Sequence, residues 1–433
     1  MITHTPKLVS LFAAAVSIFC APFAFAAAAA QADAPASAKL AQRADQELRE
    51  NILPFWLKHA PDRQRGGFVG QIDQDMTVHR DAPRGVLLTS RIVWTFSAAY
   101  RRFGNAEYRD MADRGYRDLI DRAWDAQHGG VFWTVLPNGK PADAGKHIYG
   151  QAFAIYALSE YARAFNHAEA KERAIALYRL VEEKAGDRTH GGYFEGFTRD
   201  WRRTDKTLQL LGTRAPKSQN THLHIMEAYT NLLRIWPDPE LRQRQRVLIE
   251  LMLNRVMDPK THHLGLFFAA DWSPLSREVS YGHDIEFAWL VLEAAEVLGD
   301  EILIKHAKAA AVAIADVTLR KGVDGDGGVF NEGTLTAVTK PAKDWWPQAE
   351  AAVGFLNAFQ LTGEKRFFDA AVHTWDFIEA KVIDRAHGDW HGALARDGTP
   401  LSHAKLSLWK CPYHNGRACL ELSDRLRSLV RAP

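Results

Sequence analysis

Apolar residues return every three or four positions in long blocks such as YGQAFAIYALSEYARAF from Tyr149, NTHLHIMEAYTNLLRIW from Asn220, GHDIEFAWLVLEAAEVLG from Gly282 and WWPQAEAAVGFLNAFQLTG from Trp345. That period predicts helices with a buried face. Between them the pattern changes to a glycine turn followed by aromatic and apolar alternation, the mark of a short hairpin or extended lip. Such lips read RGGFVGQIDQDM from Arg65, HGGVFWTVLPNGKP from His128, HGGYFEGFTRDW from His190, HLGLFFAADWSP from His263, GDGGVFNEGT from Gly325 and HGDWHGALARDGTP from His387. They recur roughly 60 to 75 residues apart, which is a repeat signal. Each interval has room for two helices of ordinary length, so the pattern predicts an all-α (α/α)6 barrel of six helical hairpins, with short β-hairpin loops at one mouth. Every second helix is then inner and rich in aromatics, with starts expected at Ser90, Tyr149, Asn220, His283, Trp346 and Cys411. Their outer partners are charged on one face, and Arg242, Arg244 and Arg246 are expected to be solvated there.

The first residues break this pattern. Lys7 precedes an apolar, alanine-rich run from Leu8 to Cys20, and Ala24 and Ala26 stand at cleavage-site spacing, so residues 1–26 read as a secretory signal. The run is too short for a permanent span. A lipoprotein anchor on Cys20 is disfavoured, because acylation signals want a small residue where Phe19 puts a ring. Residues 27–38 are expected to be a disordered leader and 39–430 one barrel domain. The mature protein is expected to be periplasmic or secreted, monomeric and free of the membrane. A net charge of +2 over 433 residues leaves no electrostatic footprint for nucleic acid or an anionic surface, and suits a small, weakly charged substrate. Cys411 and Cys419, if on one helix, are separated by roughly 12 Å of rise, beyond disulfide reach, and are expected as buried thiols.

Polar and ionisable residues gather at the predicted N-terminal ends of the inner helices: Arg91, Lys146 with Tyr149, Asn220 with His222 and His224, His283 with Glu286, Trp345 and Trp346 with Glu350, and Trp409 with His414. Helix dipoles and free amides would face one mouth there. A lone histidine at a helix start is more often a cap or a satisfied core residue than a catalyst. Recurrence around the ring points instead to a shared cavity, and its tryptophans suit the apolar faces of a sugar. His283 and Glu286, three apart, share a helix face, so the carboxylate is expected to orient the imidazole or raise its basicity. Metal chemistry fits less well: a di-metal site would repeat Glu-x-x-His, and His222 and His224 point to different faces. Histidines without a metal point to proton transfer. Two imidazoles on opposite walls could take hydrogen from one face of a carbon and return it to the other.

The blocks KHIYGQAFAIYALSEY, NTHLHIMEAYTN, GHDIEFAWLVLEAA, WWPQAEAAVGFLNA and KLSLWKCPYHNGRACLEL resemble those of the cellobiose 2-epimerases, within the N-acylglucosamine 2-epimerase superfamily. The match runs in the same order over nearly the whole mature chain, and it implies the same barrel. It implies that His283 of GHDIE and His414 of WKCPYH are the acid/base pair at C2, and that His224 of NTHLH assists ring opening. Arg91 of SRIVWTF would stabilise the carbonyl oxygen as an enediolate forms. Glu286 and Glu350 would position histidines and sugar hydroxyls, and Tyr149, Asn220, Trp289, Trp346 and Trp409 would line the sugar subsites. The implied reaction inverts C2 of the reducing-end aldose of a β-1,4-linked disaccharide such as cellobiose, mannobiose or lactose. It passes through ring opening, a cis-enediolate, rotation about C2–C3 and reprotonation on the opposite face. No cofactor or metal is implied, because the open aldose carbonyl already acidifies C2.

Two features depart from the family pattern. Its members are usually cytoplasmic, whereas this chain is expected to be exported. The last lip has His391, Gly392 and Ala393 where a second aromatic often follows the tryptophan, and that lip is expected to contact the outer sugar. The rival readings are an aldose–ketose isomerase or a 2-epimerase acting on mannose or N-acylglucosamine, which would use the same two histidines. From another class comes an (α/α)6 glycoside hydrolase with Glu286 and Glu350 as paired carboxylates, although the mouth holds more histidines than cleavage needs.

Overall fold

A computed structural model describes residues 34–204 and 214–431, so the expected signal and most of the expected leader lie outside the described residues. The inner helices are α3 (Val86–Phe103), α5 (Ile148–Phe165), α7 (Gln219–Leu233), α9 (Tyr281–Leu298), α11 (Trp345–Thr362) and α13 (Tyr413–Arg431). The outer layer comprises α1 and α2 (Ala34–Glu47, Leu53–His59), α4 (Ala106–Asp118), α6 (Ala168–Lys184), α8 (Pro239–Leu251), α10 (Glu301–Lys321) and α12 (Lys365–Phe377). Each inner helix packs against the next and α13 returns to α3, which closes the (α/α)6 ring. The last inner helix takes the first outer helix, α1, as its partner.

Burial follows the hydrophobic pattern. Every residue of α5 from Ile148 to Ala162 is buried, whereas α8 buries only Leu241, Gln245, Leu248 and Ile249, one stripe of an amphipathic helix. Several boundaries differ from the sequence expectation. Residues 34–38, expected in the leader, form the first turn of α1. Helix α3 starts at Val86 rather than Ser90, and α13 at Tyr413 rather than Cys411, just after Pro412. Arg242, Arg244 and Arg246 are also not merely solvated. Arg242 donates to the Leu298 carbonyl, Arg244 reaches Glu182 at 3.0 Å and Arg246 pairs with Asp300, the N-cap of α10, so the run sews neighbouring hairpins together. Cys411 and Cys419 are buried free thiols.

The lips form a ring of short antiparallel pairings between neighbours. Arg84–Gly85 pairs with Thr134–Val135, Lys146–His147 with Gly196–Phe197, Lys217–Ser218 with Phe267–Phe268, Val279–Ser280 with Glu332–Gly333, and Lys343–Asp344 with Ala393–Leu394. A bridge between Ile72 and Leu406 completes the circle. Because the first strand of each of these five pairs leads directly into an inner helix, the ring gathers the helix N-termini at one mouth.

A buried ion pair ties each lip at its base, with one exception. The aspartate that opens the turn accepts nearby backbone N–H groups, as Asp187 does from Thr189 and His190 and Asp324 does from Gly325. Its other oxygen meets the cation that closes the same lip: Arg84 to Asp62 at 2.6 Å, Lys146 to Asp125 at 3.0 Å, Lys217 to Asp187 at 2.7 Å, Lys343 to Asp324 at 3.1 Å and Lys405 to Asp384 at 2.9 Å. Lys146, expected among the reactive groups of the mouth, is therefore a structural tether. In the fourth lip Val279 holds the cation position, and His263 bonds Asp284 at 2.7 Å instead. Lys217 also donates to the carbonyls of Gly191 and Ala270, so Lys217→Met takes the cation from the Asp187 carboxylate and one donor from each of two carbonyls. We expect a loss of about 3–5 kcal/mol in chemical denaturation. A loss below about 1 kcal/mol, as for an exposed pair, would show that the tether contributes little.

Candidate active site

Looking down the barrel from the lips, the site has a charged floor and an aromatic wall. Arg417, on the second turn of α13, is fully enclosed and stacks between Tyr413 and Trp289, with its guanidinium carbon 4.3 Å and 4.7 Å from the two ring centres. Its Nη2 donates to Glu286 at 2.8 Å and to Glu350 at 2.7 Å, while Nη1 donates to Glu227. These carboxylates hold two of the imidazoles. His414 Nδ1 lies 2.7 Å from Glu350 Oε1, and His224 Nδ1 lies 2.9 Å from Glu227 Oε2. Tyr413 donates to Glu227 as well. A carboxylate partner fixes the Nδ1–H tautomer and leaves Nε2 for the cavity.

Burial and these charges set the protonation states. Burial alone would raise the Glu227 carboxyl, but Arg417 and His224 hold it at about 2. Burial and the neighbouring Glu350 push Glu286 well above the ordinary carboxylate range, and burial also raises Glu350. Burial, reinforced by His224 and Arg91, lowers His283 to about 3. Burial, with Arg91 and Arg417, takes His414 well below the usual value. Burial lowers His224 too. Burial thus disfavours a free imidazolium at all three positions.

Arg91 differs from Arg417 in having no anion. Its Nη2 donates to the Tyr149 hydroxyl at 2.8 Å, and Nη1 lies 3.5 Å from the Trp409 carbonyl and 3.7 Å from Cys411 Sγ. Phe153, Tyr413 and Tyr149 surround the guanidinium face. Among the described residues it makes no ion pair, so a buried positive charge remains available to an anion formed in the cavity.

The aromatic wall brings the histidines together. The Trp346 ring lies 4.6 Å from that of His283 and 5.5 Å from that of His414, so both imidazoles flank one indole. Tyr149 meets His224 edge-on at 5.1 Å and Trp409 at 5.9 Å. Beside His283 opens a cleft of about 770 Å³, lined by Asn220, Phe267, Leu275, Glu278, Ser280 and Glu332 among others. The Oδ1 of Asn220 has no partner among the described residues. Gly282 permits this closure, since a Cβ there would sit 2.5 Å from the tip of Trp346.

Two sequence expectations need correction. Glu286 does not hold His283; it is drawn down to Arg417, and the His283 Nδ1 instead meets the Ser280 hydroxyl at 2.8 Å. Trp289, expected along the sugar subsites, lies two turns inside α9 at 1 % exposure, where its indole N–H donates to Glu350 at 3.0 Å. In the last lip the tryptophan is turned inward. Trp390 is wholly buried at the seam, donating to Glu47 at 2.8 Å, and a Cβ on Gly392 would meet His403. His222 is structural: its Nδ1 bonds the Ser218 carbonyl and its Nε2 accepts from Tyr193 N–H, which approaches because Gly192 has φ +74°. The sequence reading missed Arg417, Glu227, Tyr413 and Ser280. Glu227 follows His224, and Arg417 follows His414, at the three-residue spacing already noted for His283 and Glu286.

Fold and floor together define an (α/α)6 barrel that gathers three histidines at one mouth, with both candidate hydrolytic carboxylates bonded to Arg417. The profile of the N-acylglucosamine 2-epimerase family matches residues 66–418. A cellobiose 2-epimerase from Bacteroides fragilis is 41% identical, over 88% of this chain and 98% of that protein. The solved cellobiose 2-epimerases of Bacillus thermoamylovorans and Spirochaeta thermophila superpose with TM-scores of 0.86 and 0.85 at 38% and 39% identity. They cover 89% and 92% of this chain and 99% of each of theirs. The chain belongs to the N-acylglucosamine 2-epimerase family, and it is an isomerase of the epimerase type.

Gly282→Ala tests the geometry of the wall. Displacing Trp346 should cost up to about 10²-fold in kcat/KM without loss of fold by circular dichroism. Unchanged kinetics would show that the indole does not position the substrate.

Proposed function

We propose that this enzyme inverts C2 of the reducing-end aldose of a β-1,4-linked disaccharide, with cellobiose as the first substrate to test. The observation that carries this reading is the unpaired, buried Arg91 beside two imidazoles that flank a single indole. His224, held by Glu227, assists opening of the sugar ring. One imidazole takes the C2 proton, and the electron pair moves into a C1–C2 double bond as the carbonyl oxygen becomes anionic beside Arg91. Rotation about C2–C3 presents the other face, which the second imidazole protonates, and the ring closes. Trp346, Trp409 and Tyr149 supply faces for the sugar. The cation shared by Glu286 and Glu350 is the Arg417 guanidinium, and the chemistry runs on side chains alone.

The N-terminal signal supports export, and we propose action in the periplasm or outside the cell as a monomer on soluble sugar. No described helix is long and apolar enough to cross a membrane. In deuterated water, product recovered from cellobiose should carry deuterium at C2 of the reducing-end residue and the manno configuration by NMR. A ketose as the main product would make the enzyme an aldose–ketose isomerase, and release of monosaccharide would make it a hydrolase. His283→Asn and His414→Asn should each lower turnover by about 10²–10⁴-fold.

The pH dependence has a definite sign. A histidine whose pKa is depressed keeps its base form above that pKa and loses it only as pH falls through it. With His283 at about 3 and His414 well below its ordinary value, the acid limb of kcat/KM should lie below the usual histidine value of about 6.5. A limb at or above that value would contradict a desolvated resting base.

A further inference from the structure

The three histidines differ in what stands behind them. His414 and His224 are backed by the carboxylates of Glu350 and Glu227, whereas His283 Nδ1 is backed by a neutral hydroxyl, Ser280 Oγ, at 2.8 Å. Local register causes this. Ser280 is the N-cap of α9, and its Oγ also accepts the His283 backbone N–H at 3.4 Å. The carboxylate one turn further on, Glu286, faces Arg417. The charges His283 feels are His224 on α7 and Arg91 on α3, both of which disfavour an imidazolium. On α11 its neighbour is the uncharged Trp346. Glu278, Glu332 and Lys340 line the outer cleft, where Lys340 is paired with Glu332 at 2.6 Å. His414 feels Arg91, Arg417 and His224 too, but it has Glu350 at 2.7 Å, Glu286 at 3.8 Å and the attraction of Glu227.

We propose that Ser280 is a positioning residue that keeps His283 as the unprotonated resting base, while the proton for the return step is stored on the His414–Glu350 pair. The proposal rests on the C2-epimerase reading above. One Ser280 lone pair holds the helix cap and the other accepts Nδ1–H, so the ring is fixed with its Nε2 lone pair free and no anion stabilises a positive charge on it. At His414 a proton is compensated wherever it sits: imidazolium with carboxylate, or neutral imidazole with carboxylic acid, is one state shared along one hydrogen bond.

The step balances. His283 Nε2 takes the C2 proton, and the pair of electrons forms the enediolate whose oxyanion faces Arg91. The His414–Glu350 pair then gives its proton to the other face of C2 and is left as neutral imidazole and carboxylate. The enzyme ends with the proton on His283, and exchange with solvent restores the starting form. Equal backing at both bases would leave no preferred resting form; the serine breaks that equality.

The test is the pH profile of kcat/KM on cellobiose for the wild-type chain and for Ser280→Asp, Ser280→Thr and Ser280→Ala, with C2 deuterium incorporation followed in parallel. Aspartate keeps the cap but gives His283 a carboxylate, so the acid limb should rise by about one unit or more while the basic limb stays. Threonine should reproduce the wild-type profile. Alanine should lower kcat by about tenfold or more, because the ring is no longer held. A Ser280→Asp profile with neither limb moved, or both moved together, overturns the proposal, as does an alanine variant with wild-type kcat. Should the aspartate and alanine variants fail to fold, nitrogen chemical shifts of the wild-type imidazoles decide: a neutral His283 protonated on Nδ1 supports the proposal and an imidazolium there at neutral pH overturns it. Wild-type enzyme that incorporates no deuterium at C2 sinks the epimerase reading itself, whatever the state of His283.

Discussion

Arg417 is the charge around which the floor of this barrel is arranged. A guanidinium taken out of water is costly, and so are three carboxylates; the planar fork lets one cation meet Glu227, Glu286 and Glu350 at once. The carboxylates pass the constraint upward. Glu227 fixes His224 and Tyr413, and Glu350 fixes His414 and the indole of Trp289. The orientation of two imidazoles is thus a property of an arginine that faces neither the lips nor solvent.

Arg91 shows the converse use of the same side chain. It is as deeply buried, yet its neighbours are hydroxyl, carbonyl, thiol and aromatic faces. None cancels its charge. A cation neutralised in the resting state would have little to offer a developing oxyanion, so an unpaired one is what the proposed enediolate would need. Folding carries the cost of burying Arg91 without an anion among the described residues.

The lips repeat one device, an aspartate turn tied back by a buried lysine or arginine, and the repeat fails where the chemistry enters. In the fourth lip the cation is absent, and the tie is His263 to Asp284, the residue directly after His283. The neighbouring strand ends at Ser280, which caps α9 and meets the His283 ring. The repeat that departs from the common rule is therefore the one whose helix carries a candidate base, the kind of local exception expected at a functional site.

The barrel was legible in the sequence because its signals are short-range. A period of 3.6 residues on helices and a glycine turn at each lip recur often enough to count six units, and the all-round burial of α5 against the single stripe of α8 is visible as composition. The site was legible in part for the same reason: the polar residues of the inner helices share a mouth because helix N-termini do. What pairs with what could not be read. His414 meets Glu350 from the neighbouring inner helix, Arg417 joins carboxylates from three helices, and Glu286 turns from the histidine three residues before it to the arginine across the floor. Local spacing says which side chains share a face, but only the closed ring decides which faces meet. By itself the sequence determined a barrel with histidines at its mouth; the tertiary structure decided that two of them rest on carboxylates and one on a serine, because those partners are brought together by packing across the ring.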